Sequence, residues 1–259
     1  MCVAHLADSM GPQGRRRCSG DFWQTVIDVV DAIPTGRLVG RARPPMTARQ
    51  SKSELTRKRI LDAAAMVFRQ QGYSGARLND IAAAAGIQAG SLYYHFESRE
   101  ALVEEVLHLG IVVAAQHVRD AVDAMAPGST ALDRLTTAIW AHTEVQLEIS
   151  DYSSAHARII AQVPAEVRRR NLVDQNNYGE YWDALFRAAV ASGEVRDDLD
   201  LHVARMLMFG ALNWTSEWYR PRSGRSARFI AEQAATMLLH GMQANGAVAC
   251  HADVDPPAR

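Results

Sequence analysis

Apolar residues recur along most of the chain at the spacing of one helical face, and nowhere at the strict alternation of a strand. The densest signal lies between Thr56 and Leu109. Ile60, Ala64, Val67, Phe68 and Gln71 share one face of a first helix, with Arg57, Lys58 and Arg59 before the stripe and Arg69 within it. Gly72 stands where a C-cap needs positive φ, and Tyr73, Ser74 and Gly75 are loop residues. A short second helix is predicted from Asn79 to about Ala85. Its alanine run, Ala82 to Ala85, is smooth enough for a neighbour to come close. Gly86 breaks it, Ile87 plugs the turn, and a third helix follows from about Gln88 to Tyr94. Ser98 can cap a fourth, with Glu100 suited to its positive end. That helix carries Leu102, Val106, Leu109 and Val113 on one face and continues towards Ala126.

Two short helices joined by a glycine-containing turn form the helix-turn-helix signature, whose second helix enters the major groove of DNA. The contents of the third helix suit that task. Ala89, Gly90 and Ser91 permit close approach, and Tyr93, Tyr94 and His95 supply polar ring tips. Leu92 and Phe96 read as core. Three polar-tipped rings in a row cannot all point inward from one helical turn.

Further on, Pro127-Gly128 marks a break, and Ser129 or Thr130 can cap a fifth helix reaching about Glu148. A sixth lies near Tyr152 to Val163, ending at Pro164. A long seventh runs from about Ala165 to Ser192, with Gly193 as C-cap. Asp200 caps an eighth that reaches Tyr219, and Ser226 caps a ninth ending near Met242. The fold class expected is all-α with nine main helices: an N-terminal three-helix helix-turn-helix domain and a C-terminal helical domain. The domain limits expected are an extension over 1–50, the DNA-binding domain over 51–100, the second domain over 101–243 and a disordered tail over 244–259.

The N-terminal extension is expected to be disordered or to hold one short helix. Phe22, Val26, Val29, Val30 and Ile33 form a helical stripe that Pro34 ends. The segment from Phe22 to Val39 faintly resembles the opening of alkyltransferase DNA-binding modules. Nothing after it continues that pattern and their reactive cysteine motif is absent, so it carries no weight. A start at Met46 would leave a chain of ordinary length for a regulator, and residues 1–45 are read as an extension or as untranslated. Peptides from Asp21 to Arg37 in the native protein would remove the late start.

Composition changes this picture little. Hydrophobic residues make up 48% and charged residues 22% of 259, ordinary for a globular protein, and Lys plus Arg (28) balance Asp plus Glu (29). The balance hides a local patch: Arg41 to Arg59 holds seven basic residues against Glu54 alone. Such a patch supplies the salt-dependent phosphate attraction even on a neutral chain. Cys2, Cys18 and Cys250 show neither metal spacing nor a disulfide framework. No uninterrupted apolar stretch suits a bilayer span and no signal-peptide order opens the chain, so a cytoplasmic protein is expected.

The run Gly72-Tyr73, Asp80-Ile81-Ala82, Ala85-Gly86-Ile87, Gly90-Ser91-Leu92-Tyr93-Tyr94-His95-Phe96 and Ser98-Arg99-Glu100-Ala101-Leu102 resembles the TetR/AcrR family of transcriptional regulators. The likeness is dense from Thr56 to about Val113 and covers the rest to about Met242 in general shape. It implies DNA contacts from Arg77 and Asn79 at the start of the second helix, from Gln88, Ala89, Ser91, Tyr93, Tyr94 and His95 on the recognition helix, and from Arg99 at the start of the fourth, where the family usually has Lys. Two departures stand out. The usual N-cap Thr or Ser is missing at Arg77 and Leu78, so Asn79 substitutes or the helix starts a residue later. Gln88 replaces the usual small polar residue opening the third helix.

The resemblance also implies a homodimer through the last two helices. Val203, Leu207, Gly210 and Trp214 line one face of the eighth, and Ile230, Ala234, Met237 and Gly241 one face of the ninth. It implies a small-molecule effector in the middle helices, where aromatic and polar-tipped residues collect. Trp140, Tyr152, Arg158, Tyr178, Trp182, Phe186, Phe209, Asn213 and Trp214 are the candidates, although any one of them at helical spacing is more often core. The tail Asn213-Trp214, Trp218-Tyr219-Arg220-Pro221 looks like a subset serving lipid and steroid catabolism that responds to acyl-CoA thioesters. Arg158, Arg168, Arg169 and Arg170 could meet the phosphates of such a ligand, although a solvated basic face is the plainer reading of the last three. A ligand between helices four and eight would shift helix four and so change the spacing of two recognition helices. His142 with Glu144, and His156 with Arg158, are the polar pairs that tempt an enzyme reading. Neither has metal-ligand spacing, so no catalytic residue, metal or cofactor is expected. Two alternatives stay open: a non-specific architectural DNA binder and, less favoured, a helical enzyme.

Overall fold

A computed structural model describes residues 51–220 and 224–243. The expectations for 1–50, including the single short helix and the basic arm, and for the tail beyond Gln243 lie outside these residues. Among the described residues there are ten α-helices, one π-helical segment and no strand beyond an isolated bridge between Val195 and Gln243.

Helix α1 spans Lys52–Gly75 and opens on a capping box, Ser51 accepting from the Glu54 amide while Glu54 accepts from that of Ser51. Gly72 breaks it at φ 71°, and a last turn follows to Gly75. Helix α2 (Leu78–Ala84) starts with no side-chain cap: Arg77 is its N-cap residue and Asn79 does not substitute. Helix α3 (Ala89–Leu92) is four residues long, shorter than expected. After Leu92 the chain tightens, with His95 and Phe96 both donating to the Leu92 carbonyl at 3.0 Å. Tyr93, Tyr94 and His95 therefore sit on a closing turn rather than on the α-helix itself.

Helix α4 (Arg99–Asp123) is capped by Ser98, as expected. By length and composition it could cross a membrane, but most of its apolar window is buried as the central helix of this molecule. Helix α5 (Ala131–Glu144) takes Thr130 as cap and passes into the π-helical segment Val145–Ile149, which the periodicity did not reveal. Helix α6 is Asp151–Ile159. The long seventh helix of the sequence is two helices, α7 (Ala165–Arg170) and α8 (Leu172–Ala191). The break falls at buried Asn171, whose Oδ1 meets His156 Nε2 at 3.2 Å and accepts from Gln175 at 3.1 Å. Gly193 closes α8 at φ 74°. Helix α9 (Leu201–Trp218) is capped by Asp200 and α10 (Ala227–Met242) by Ser226, as predicted.

Helix α6 is wedged between α1 and α4. Its approach to α4 is set by Gly110, whose absent Cβ would stand 2.6 Å from both the Tyr152 carbonyl oxygen and the His156 Cβ. Ser153 uses the closeness, donating to the Gly110 carbonyl at 3.0 Å. A second core, built on Trp182, Phe186, Leu135, Ile139 and Met208, joins α4, α5, α8 and α9. Gly110→Ala should force α6 off α4 and cost about 1–3 kcal/mol, the usual range for overpacking a tight core, read from the urea midpoint. An unchanged midpoint would show that the two helices have slack.

Candidate functional site

The reader is built on Leu92 and Phe96, both buried, which press α3 and its closing turn onto α1 and α2. The turn between α2 and α3 needs Gly86 at φ 65°, and Ile87 donates to the Ala82 carbonyl at 3.0 Å. Arg59 reaches across from α1 and donates to the carbonyls of Ala85 and Gly86, clamping that turn. What remains outside is a surface of two textures. Gln88, Ala89 and Gly90 are exposed, and nothing lies within 4 Å of where a Gly90 Cβ would stand. Beyond them Tyr93 is 60% and Tyr94 92% exposed, while Ser91 and His95 are half-buried. Tyr94 thus stands almost wholly in water at the end of the closing turn.

Arg77 and Asn79 are exposed and line a shallow groove with Tyr73, Ser74, Ala76, Leu78 and Arg99. Arg99 itself is committed inward. It lies 4.0 Å over the Tyr73 ring and donates to the Tyr73 and Ala76 carbonyls, holding the loop between α1 and α2. The basic residues of α1 are similarly occupied. Arg57 forks onto Glu105 and lies 4.5 Å over Phe96, Lys58 pairs with Asp62 at 2.7 Å, and Arg69 pairs with Asp151 at 3.2 Å. Of these, Arg57 and Arg69 tie α1 to Glu105 and Asp151 outside the three-helix unit, whereas the Lys58 pair lies within α1 itself.

That fastening is concentrated on α6. The Tyr152 hydroxyl donates to Asp62 at 2.7 Å, and Gln162 Oε1 accepts from the Tyr73 amide at 3.0 Å beside Gly72. Burial, with the Asp62 carboxylate alongside, pushes the Tyr152 phenol far up, so it stays a donor. Tyr152 and Arg158, expected in a ligand pocket, are thus placed at the joint with α1, where Arg158 lies beside Gly72.

The other expected pocket residues divide. Tyr178, Trp182, Phe186, Phe209 and Asn213 come together between α5, α8 and α9. Trp140 packs at the edge of that core, under the Arg228 guanidinium at 3.7 Å. Trp214 is 66% exposed on the outer face of α9. The residue the sequence reading left out of its ligand set is His142. Its side chain stands at the centre of the ring cluster, 5.2 Å from Phe209 and 6.0 Å from both Tyr178 and Trp182. Its register with Leu135 and Ile139 on the apolar stripe was the available signal. His142 Nδ1 lies 3.0 Å from the Tyr178 hydroxyl and Nε2 lies 3.4 Å from Asn213 Oδ1. Full burial pulls His142 down to about 4, and His156 likewise. Of the three-arginine run, Arg169 and Arg170 pair with Glu166, and Arg170 also with Glu104 at 3.0 Å.

Helices α9 and α10 leave an apolar face uncovered. Val203, Met206, Leu207 (67% exposed) and Trp214 of α9, with Phe229 and Met237 (78%) of α10, are exposed, and nothing lies within 4 Å of where a Cβ would stand at Gly210 or Gly241. Ile230, expected on this face, is buried instead in a small cluster with Leu147, Tyr219 and Ala227.

Comparison with known proteins bears on both regions. The family described as "Bacterial regulatory proteins, tetR family" matches residues 60–106, and "Tetracyclin repressor-like, C-terminal domain" matches 128–242. The chain is 28% identical over 204 residues to the HTH-type transcriptional repressor KstR2 of Rhodococcus jostii (strain RHA1), covering 77% of this chain and 97% of that protein. It is 24% identical over 156 residues to the fatty acid metabolism regulator protein of Bacillus subtilis (strain 168), covering 60% and 79%. Among solved structures, the ketosteroid transcriptional regulator KstR2 of Mycobacterium tuberculosis superposes with a TM-score of 0.59 at 26% identity, over 76% of this chain and 99% of that one.

The buried histidines make a pH prediction. Their folded-state pKa values are lowered to about 4 from 6.5, so within that window the unfolded chain binds protons that the folded chain refuses. Their share of stability is complete above pH 6.5 and is lost as pH falls towards 4. Wild type should therefore lose ground to His142→Phe as pH falls from 6.5 to 4 in urea unfolding. A pH-independent difference would mean that His142 accepts a proton in place.

Proposed function

Because this chain belongs to the TetR family of bacterial regulatory proteins, we propose that it is a sequence-specific transcriptional repressor, released from its operator by a small hydrophobic ligand. The observation that carries the DNA side is the reader surface itself. A four-residue helix that opens on Ala89 and Gly90 lets the backbone enter a major groove, and the exposed Tyr93 and Tyr94 at its end can reach base edges and phosphates.

One such helix reads one half-site, so a twofold partner is needed to read two. The uncovered apolar face of α9 and α10 is the surface that supports a homodimer, four helices packing where Leu207, Trp214 and Met237 otherwise meet water. Close approach at Gly210 and Gly241 would let those helices pack tightly. Half-sites about one helical turn apart follow from that symmetry.

The effector side rests on the ring cluster between α5, α8 and α9 and on the relatives' names, a ketosteroid regulator and a fatty acid metabolism regulator. A hydrophobic ligand, an acyl-CoA or a related species, suits those apolar rings. The mechanism is a population shift: the ligand must bind the DNA-incompetent spacing of the two readers better than the competent one. A DNA-binding regulator of this kind works in the cytoplasm, and its chemistry is recognition rather than catalysis.

Binding of the full chain to its own upstream intergenic DNA should be sequence-specific. Tyr94→Ala should weaken it by about 1–3 kcal/mol without disturbing the fold, since the side chain is 92% exposed. Arg77→Ala should reduce the salt slope by about one. Equal, salt-steep binding to scrambled DNA would instead make the protein an architectural binder.

A further inference from the structure

The most unusual feature of the inner core is a line of hydrogen bonds running through rings. Tyr178 of α8, His142 of α5 and Asn213 of α9 form it, and each comes from a different helix. Trp182 and Phe209 enclose it at ring distances of 5.2–6.0 Å from His142. Burying polar groups among hydrocarbon costs free energy unless every one is satisfied, and a hydrophobic set of the same shape would serve stability better.

We infer that this line is the effector's recognition element, and that it accepts one uncharged carbonyl oxygen on a hydrocarbon body while refusing a free carboxylate. The inference rests on the regulator reading above and names the chemistry of its ligand. Asn213 Oδ1 can only accept, so a neutral His142 offers it Nε2–H, and Nδ1 then accepts from the Tyr178 hydroxyl. The imidazole is thereby fixed as a donor towards α9. At 3.4 Å its contact with Asn213 is the long and weak member of the line, the one an incoming oxygen can replace. The Asn213 amide can then turn its own N–H to the same oxygen.

The backbone around Asn213 is held independently of any ligand. Within the π-helical segment, one turn after His142, buried Gln146 donates to the Leu212 and Asn213 carbonyls at 3.2 and 3.4 Å. Short π-helical insertions are a frequent mark of functional positions. The wall most able to move is Phe209, half-buried on α9, whereas Trp182 and Phe186 are fully enclosed. The charged pair next to the cluster is spent on itself: Arg205 lies over Gly179 and pairs with Asp183 at 3.0 Å. A carboxylate meeting this line would find only neutral donors among its three members, and an ion buried without a counter-charge is strongly disfavoured. Ketones, esters and thioesters share the accepted group.

The test measures binding of five probes to the full chain by tryptophan fluorescence: 2-decalone, decalin, methyl decanoate, decanoate and decanoyl-CoA. The ketone should outbind its hydrocarbon by about tenfold and the methyl ester should outbind the carboxylate by about a hundredfold at pH 8. Whether ring ketone, chain ester or thioester binds best identifies the source of the carbonyl. In His142→Phe the ketone preference should collapse to near unity, and His142→Gln, which keeps a donor, should restore part of it. A preference that survives in His142→Phe overturns the inference, as does decanoate matching its ester or failure of every probe to bind. DNA binding measured on the same samples reports separately. Its absence beside an intact ketone preference would leave the carbonyl site standing and remove the regulator role.

Discussion

The reader is held where it is chiefly by the joint between α1 and α6. Tyr152 donates to Asp62 at 2.7 Å across it, Arg69 meets Asp151 at 3.2 Å, and Gln162 takes the Tyr73 amide at 3.0 Å. Tyr152 is buried, so its bond to a carboxylate is worth more than a surface contact and more costly to leave unmade. On its other side α6 touches α4 without a side chain between them at Gly110. At its start, Ser154 donates to the Ser150 carbonyl at 3.0 Å and to that of Gln146 in the π-helical segment. The sequence reading gave the relay to α4 alone. The joint adds a second arm, from the π-helical segment through α6 to α1, and both arms end on the same three-helix unit.

Arg57, Lys58, Arg59 and Arg69 each have an oxygen partner within the molecule, Lys58 on α1 itself. On the proposed function, the exposed Arg77 would serve affinity for DNA and the exposed tyrosines would serve discrimination. Division of those tasks is what a releasable binder needs.

Much of the fold could be read from the chain because helix ends are local chemistry. Ser98, Thr130, Asp200 and Ser226 cap the helices they were expected to cap, and Gly72, Gly86 and Gly193 take the positive φ that their positions demand. What escaped was tertiary. Nothing in the sequence breaks the helix at Asn171, where no Gly or Pro stands; His156 and Gln175 hold it from neighbouring positions. The π-helical segment has the same apolar period as the helix it ends. Composition gathered Trp140, Tyr152, Arg158 and Trp214 with the ring cluster because it cannot tell which face a residue occupies. The structure sends Trp140 to a guanidinium, Tyr152 and Arg158 to the α1 joint and Trp214 to the outer face of α9. His142 was passed over for the converse reason: a lone histidine on an apolar stripe reads as core until its two nitrogens are seen to have partners.

The most direct measurement is a footprint of the full chain on its own upstream intergenic DNA. The account predicts two protected half-sites related by a dyad, their centres about one helical turn apart, because two copies of α3 must read one face of the duplex. A single protected half-site without a dyad would contradict the twofold arrangement built on α9 and α10. Uniform protection without sequence preference would contradict the reading of α3 itself.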